Sequence, residues 1–510
     1  MPLINDAHTT RTIKTRTLLV VALSVFISGC YSLRTPLPES DTERALPFVT
    51  PKSWGTAPQK DFSEHNTAPA TPEHYFGAHF PGYDYNTLIQ AALEGNYALQ
   101  QLDSQLESEI AKHKSERAKL WPSLNVGLNG QEARIEDSTT KLFALQGDVS
   151  WTVDLWGTQR LIAHAAKNSV EEASLSREAA QLSVAAATLQ NWFEWSSRKQ
   201  LLQLQRDFVN TLETSSELVE NRFNAGLADL LGLRLAHTEI ALARSDLLQK
   251  RSAAINARSK FQELLGESHK HQQEHKLYDH LNFTLPEQAV SLPNYLPADI
   301  IRQRPDLLAA ERRLKSQELK LLSSKQAWLP SLNLNASQGL QEQSLNNILK
   351  NGLSVSAIAF NLMQPVFNAG AIKAQQAQAR ASVSKELYAY SELLHRAMLE
   401  VTRLLQQDNV LKQQMAAAKF AAKLASETQS LAQRNYNAGL TDLNTFLDAH
   451  RNSINTETRL VSVNNDWLQN RVNLLLALGA HPSVSMGNTS VIDSPKITAL
   501  SEKYNDAQNH

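Results

Sequence analysis

Few residues in this chain of 510 stand in patterns that could do chemistry. The only cysteine, Cys30, excludes an intramolecular disulfide and leaves one thiol open to covalent modification. His269, His271, His275 and His280 crowd one stretch and offer imidazoles to copper or zinc. They stand among Lys, Gln and Glu without fixed ligand spacing, the composition of a solvated linker, so no metal or other cofactor is expected. Carboxylates recur in one setting. Asn224-Ala225-Gly226-Leu227 is followed by Asp229-Leu230, and Asn437-Ala438-Gly439-Leu440 by Asp442-Leu443. A further carboxylate, Asp448, follows closely in Phe446-Leu447-Asp448-Ala449. No phosphate-cradling glycine loop, nucleophile elbow or zinc-ligand spacing occurs, so the chain carries no enzyme signature.

The repeated tetrapeptide points to the elements that position these groups. Asn and Gly tolerate the left-handed turn that closes a helix, so each copy is expected at the tip of a helical hairpin. The same shift of about 213 residues carries Arg258 onto Arg471, Leu265 onto Leu478 and Gly266 onto Gly479, which indicates one plan built twice. Around each tip, apolar residues fall at alternating spacings of four and three. Leu175, Ala179, Leu182, Ala186, Leu189 and Phe193 do so in the first copy; Val383, Leu387, Tyr390, Leu394, Ala397, Val401 and Leu404 do so in the second. The return segments keep the step through Leu233, Ile240, Leu247, Ala254 and Phe261, and through Leu460, Trp467 and Leu474. Long antiparallel coiled-coil hairpins follow, the proline-free run from 157 to 223 being roughly 100 Å long at 1.5 Å per residue.

The period changes after Trp121-Pro122 and Leu329-Pro330, where proline disfavours helix in the preceding residue. Leu124, Val126 and Leu128 alternate with polar residues, and so do Val149, Trp151 and Val153, with a polar loop near 135 to 141 between them. Leu332 and Leu334, then Leu353, Val355 and Ala357, repeat the pattern. Each half thus contributes a β-hairpin with one apolar and one polar face, the pattern of a membrane barrel. A soluble sheet with one wet face satisfies alternation equally well. If the sheet is in a bilayer, four strands cannot close, and other copies of the chain must complete it.

Export settles the compartment. Arg11, Lys14 and Arg16 precede an apolar run from 18 to 27, too short to span a bilayer as a helix, and Ser28-Gly29 form a small-residue exit. Ile27-Ser28-Gly29-Cys30 resembles a bacterial lipoprotein box, which implies acylation of Cys30, and the following Tyr31 resembles sorting to the outer membrane; a plain signal with an incidental cysteine is the alternative. The expected organisation is a signal peptide (1–29), a lipidated arm (30–85), a first repeat (86–266; β-hairpin 123–153, tip 224–230), a linker (267–296), a second repeat (297–480; β-hairpin 331–362, tip 437–443) and a tail (481–510). One helix is expected from about 87 to 120. Near-balanced charge, 50 basic against 51 acidic residues, gives no electrostatic reason for a nucleic-acid partner.

Taken together, Cys30, Trp121-Pro122-Ser123-Leu124, Leu329-Pro330-Ser331-Leu332, Asp154-Leu155-Trp156-Gly157, Arg304-Pro305-Asp306 and the two Asn-Ala-Gly-Leu tips resemble the TolC-like outer-membrane efflux family, especially its lipid-anchored OprM-like and NodT-like members. The resemblance covers nearly the full mature chain. It implies a mainly α protein with a membrane β-barrel part: a homotrimer giving four strands per chain to a twelve-stranded barrel and its helices to a periplasmic tunnel. It implies an exit duct for drugs or other small molecules, served by an inner-membrane pump, often of the resistance-nodulation-division type, and a periplasmic adaptor. By the same resemblance, Gly226, Leu227, Asp229, Gly439, Leu440 and Asp442 dock the adaptor, while Asp448 forms a charged ring at the gate and Tyr436 helps latch it. A surface Asp448 paired with Arg451 one turn on is the plainer alternative. A lipid-anchored tether without a pore is the alternative for the whole chain.

Overall fold

The computed structural model describes residues 53–55, 76, 79–80, 85–135, 138–226, 229–266, 283–289 and 295–479. The export segment, Cys30, the four clustered histidines, Leu227 and the tail lie outside those residues. In chain order the main elements are α1 (Asn86–Gly95), α2 (Tyr97–Ala118), β1 (Ser123–Ile135), β2 (Ser138–Val153), α3 (Thr158–Asn224), α4 (Leu230–Leu264), α5 (Pro305–Lys325), β3 (Ser331–Glu342), β4 (Leu353–Met363), α6 (Ala371–Asn437) and α7 (Leu443–Ala477). α3 and α6 have 67 residues each, α4 and α7 have 35 each. Both pairs start and stop at positions related by the shift of about 213, so the duplication extends to helix length.

The chain divides into two compact units, each drawing on both repeats. One comprises the described parts of Met1–Trp54, Asn96–Ser183 and Pro297–Arg403; the other, those of Gly55–Gly95, Val184–Leu296 and Leu404–His510.

The first unit contains one antiparallel sheet in the order β1-β2-β3-β4. Leu124 stands opposite Val149, Val149 opposite Ala336, and Ala336 opposite Ile358, so these four share a face. Val126, Leu128, Trp151, Val153, Leu334, Phe360 and Leu362 share it too; Asn125, Asp148, Ser150, Asn333, Asn335 and Ser337 lie on the other. Leu353, Val355 and Ala357, expected on the apolar face, stand on the polar one. The parity of apolar residues in β4 inverts between Ala357 and Ile358, and pairing with β3 decides which half counts. Ile358 and Phe360, 91% and 78% exposed, make that face of β4 apolar. The expected loop near 135 to 141 is shorter, since β1 runs to Ile135 and β2 starts at Ser138.

The helix expected from 87 to 120 is broken at Asn96. Its side-chain carbonyl accepts from the amides of Ala98 (3.0 Å) and Leu99 (3.2 Å), capping α2 and ending α1 just before it. α5 opens with Pro305 in its first turn, as its sequence implies. Arg304 Nη2 lies 2.8 Å from Asp306, and Nη1 lies 3.3 Å from Glu400 of α6, so this arginine fixes where α5 begins against α6. Leu161 and Ala165 of α3 pack on Leu319 of α5. Trp156 Nε1 donates to the Pro330 carbonyl at 2.7 Å, and Asp154 accepts from the amides of Gln159 (3.0 Å) and Arg160 (3.1 Å), capping α3 where the strand turns into helix.

In the helices the seams expected from spacing are partly or fully buried. Leu182, Ala186, Leu189 and Phe193 are buried, as are Leu394, Ala397, Val401 and Leu404. In the second unit the seam of α6 continues through Asp408, Leu411, Ala418, Ala422, Ala425, Ala432 and Tyr436 at steps of three, four or seven. Ala254, Phe261, Trp467 and Leu474 of the return helices are buried as well.

Candidate functional site

The two tips lie in the second unit. At the end of α6 the Gly439 amide donates to the Tyr436 carbonyl (3.1 Å) and the Leu440 amide to that of Asn435 (2.8 Å), a pair of bonds that closes the helix through a left-handed residue. Gly439 has φ 75° and Gly226, at the end of α3, has φ 71°. A Cβ at either would meet nothing within 4 Å, so glycine is demanded by the backbone and not by space. The next helix starts on a carboxylate in both copies: Asp229 accepts from the Gly232 amide at 2.9 Å, Asp442 from the Thr445 amide at 2.7 Å. The Thr445 amide bond holds the Asp442 carboxyl below the usual carboxylate range. Gly226, Asp229, Gly439, Leu440 and Asp442 are all exposed, forming a polar double turn with Leu440 as its apolar projection.

Behind the turns sits a core of Phe208, Val209, Leu212, Val219, Ala236, Ala243, Tyr436, Phe446 and Leu447. Tyr436 is buried in it. Its ring stacks on Phe446 at 5.2 Å, and the Arg222 guanidinium covers it at 4.8 Å while donating to the Tyr436 carbonyl at 3.3 Å. Arg222 thereby ties the end of α3 to the end of α6. Asp448 points outward, 69% exposed, and pairs with Arg451 at 3.1 Å. The same guanidinium reaches Glu239 of α4 at 3.0 Å, so Arg451 ties α7 to α4. Arg222 and Arg451 were missed by sequence reasoning as cross-links: the shift of about 213 puts Asn435 and Thr238 in their places, so the repeat gives no hint of either.

Among the described residues no helix is long and apolar enough to cross a membrane. No group of three or more His, Cys, Asp or Glu side chains among them converges as a metal site would. The sheet exposes Leu124, Val126, Leu128, Ile358, Phe360 and Leu362 on its apolar face, and its edge strands β1 and β4 each pair on one side only among the described residues.

The sequence profile described as "Outer membrane efflux protein" matches residues 88–267 and 296–480. The chain belongs to the outer membrane efflux protein family. Within the family it is similar to the toluene efflux pump outer membrane protein TtgC of Pseudomonas putida, 25% identical over 475 residues, covering 91% of this chain and 96% of that one. Its fold is that of a membrane protein from Pseudomonas aeruginosa (TM-score 0.75, 22% identity, 87% of this chain and 99% of the other). The Campylobacter jejuni CmeC outer membrane channel shares it too (TM-score 0.73, 19% identity, 84% and 95%). This family member is an efflux channel of the Gram-negative outer membrane that extends into the periplasm, as the resemblance implied.

Proposed function

We propose that the protein is the passive exit duct of a tripartite efflux system: three copies enclose the pore, and an inner-membrane pump, of the resistance-nodulation-division type or another, and a periplasmic adaptor deliver small organic molecules to it without catalysis by the channel. The observation that carries this is the four-stranded sheet with an exposed apolar face, a polar face and two half-paired edges. A bilayer tolerates no lipid-exposed edge, and single-chain barrels start at about eight strands, so each edge must meet another copy. The names of relatives, which include toluene and antibiotic efflux, support small organic cargo.

In the same proposal Cys30 carries the lipid that holds the chain to the outer membrane. The adaptor docks on the double turn of Gly226, Leu227, Asp229, Gly439, Leu440 and Asp442. Asp448 and Tyr436 belong to the gate: Tyr436 from inside the tip core, Asp448 from its surface, where three copies facing one axis would attract cations and repel one another. The test is ion conductance of the purified protein in planar bilayers. Wild type conducts, and Asp448→Ala raises conductance and weakens block by divalent cations. Absence of any conductance would leave the tether without a pore, and unchanged conductance with unchanged block in the variant would remove Asp448 from the gate.

A further inference from the structure

We propose that His450 makes the tip acid-labile: its buried imidazole holds the ends of α3, α6 and α7 together only while neutral, so that acid loosens the tip from within.

His450 is 5% exposed. Its ring lies 5.4 Å from Phe208 of α3 and 5.5 Å from Phe446, one turn earlier on α7 and itself part of the tip core. Among the described residues the side-chain polar contact to the ring is the Gln429 amide nitrogen of α6, 3.1 Å from Nε2. An amide nitrogen only donates, so with the amide placed this way Nε2 accepts and the proton sits on Nδ1, the neutral tautomer. Protonation would force the Gln429 amide to turn its oxygen toward Nε2 and would leave the charge buried with little water to solvate it.

Among the described residues no carboxylate reaches the ring. On α3, Arg206 and Asp207 beside Phe208 are exposed, and Asp207 accepts from Gln203. On α6, Lys423 and Glu427 are exposed; on α7, Asp448 and Arg451 are exposed and paired with each other; on α4, Glu239 is taken by Arg451. Burial accordingly lowers the His450 pKa, opposed only by a backbone hydrogen bond.

The sign follows. A loosened tip exposes the ring, which then titrates near the ordinary imidazole value of about 6.5, whereas the closed tip titrates lower. Above that value both forms are neutral and the closed tip is at full strength. Below it the loosened form binds the extra proton, and the ratio of loosened to closed tip rises about tenfold per pH unit until the closed form protonates as well. The first repeat has no such device: the shift of about 213 places His237 at the corresponding position, and His237 is exposed.

The role in gating rests on the proposed function; the acid release itself does not. The experiment is amide hydrogen exchange across residues 429–455 of the full channel in detergent, corrected for intrinsic rates, from pH 7.5 to 5, for wild type, His450→Gln, His450→Phe and Asp448→Asn. Protection in wild type falls about tenfold per pH unit below about 6.5, is flat in both His450 variants and still falls in Asp448→Asn. A fall that survives in His450→Gln and His450→Phe, or no fall in wild type, overturns the proposal. Conductance over the same range separates it from the gate: a His450-dependent loss of protection with unmoved conductance upholds the acid release and rejects the tip as the gate.

Discussion

The two repeats solve one packing problem in opposite ways. Midway along the first hairpin, Trp195 of α3 joins Trp192, Phe261 and Phe283 in a cluster with centroids 4.9 to 5.7 Å apart, and the Lys199 ammonium lies 3.2 Å from the Phe283 ring centre. The corresponding positions on α6 are Asp408 and Lys412. There Asp408 sits in the buried seam, accepting from Trp467 Nε1 at 3.1 Å, from Arg471 at 3.2 Å and from Lys412 at 2.8 Å. The indole has changed sides, since Trp467 of α7 corresponds to Ala254 of α4, and the arginine has changed environment: Arg258 is exposed while Arg471 is 1% exposed. Burial pulls the Arg471 pKa down and Asp408 opposes the pull. The difference teaches that helix length and register can be copied while the contents of the seam are not. One hairpin is held by dispersion between rings; the other depends on a charge pair that is stable only when complete.

Breaking that pair gives the largest effect. Asp408→Ala strands a buried guanidinium and costs about 3–5 kcal/mol, whereas Asp408→Leu combined with Arg471→Met recovers part of it, because an apolar fill removes both desolvation penalties and leaves only the Trp467 N–H without its acceptor. Denaturant midpoints of the detergent-solubilised channel measure both. If Asp408→Ala behaves like a surface change, the contrast between the repeats collapses. Smaller, and expected to be the same in both copies, is alanine at the turns: Gly226→Ala and Gly439→Ala each cost about 1–2 kcal/mol for forcing a Cβ into a left-handed backbone. Unequal costs in the same midpoints would show that the tips differ in backbone as well as in side chains. Smallest is Lys199→Gln, which removes a cation over an aromatic face and costs about 0.5–1 kcal/mol, read by a double-mutant cycle with Phe283→Leu.

Much of the fold was legible because it is written in local period. Both tips, the seams and the proline-marked starts of the β-hairpins depend on neighbours three, four or two residues away, and those spacings are visible without partners. The break at Asn96 was missed because an asparagine inside an apolar period is silent until its side chain caps the next amides. The face of β4 was misassigned for a related reason: its two halves carry opposite parity, and only the ladder to β3 says which one counts. At the tip, the left-handed turns at Gly226 and Gly439 were legible from the motif. The contacts of Arg222 with Tyr436, of Arg451 with Glu239 and of His450 with Gln429 were not, since each joins residues of different helices.

The amino-acid order alone determined that this protein is exported, doubled, mostly helical and closed at two glycine turns, because hydrophobic period and backbone sterics act over a few residues. Tertiary structure decided which carboxylates are free and which are held, which of two matching histidines is dry, and which half of a strand turns its apolar side outward. Charge pairing, desolvation and sheet register are set by groups tens to hundreds of residues away in the chain, so they take a value only once those groups are brought together.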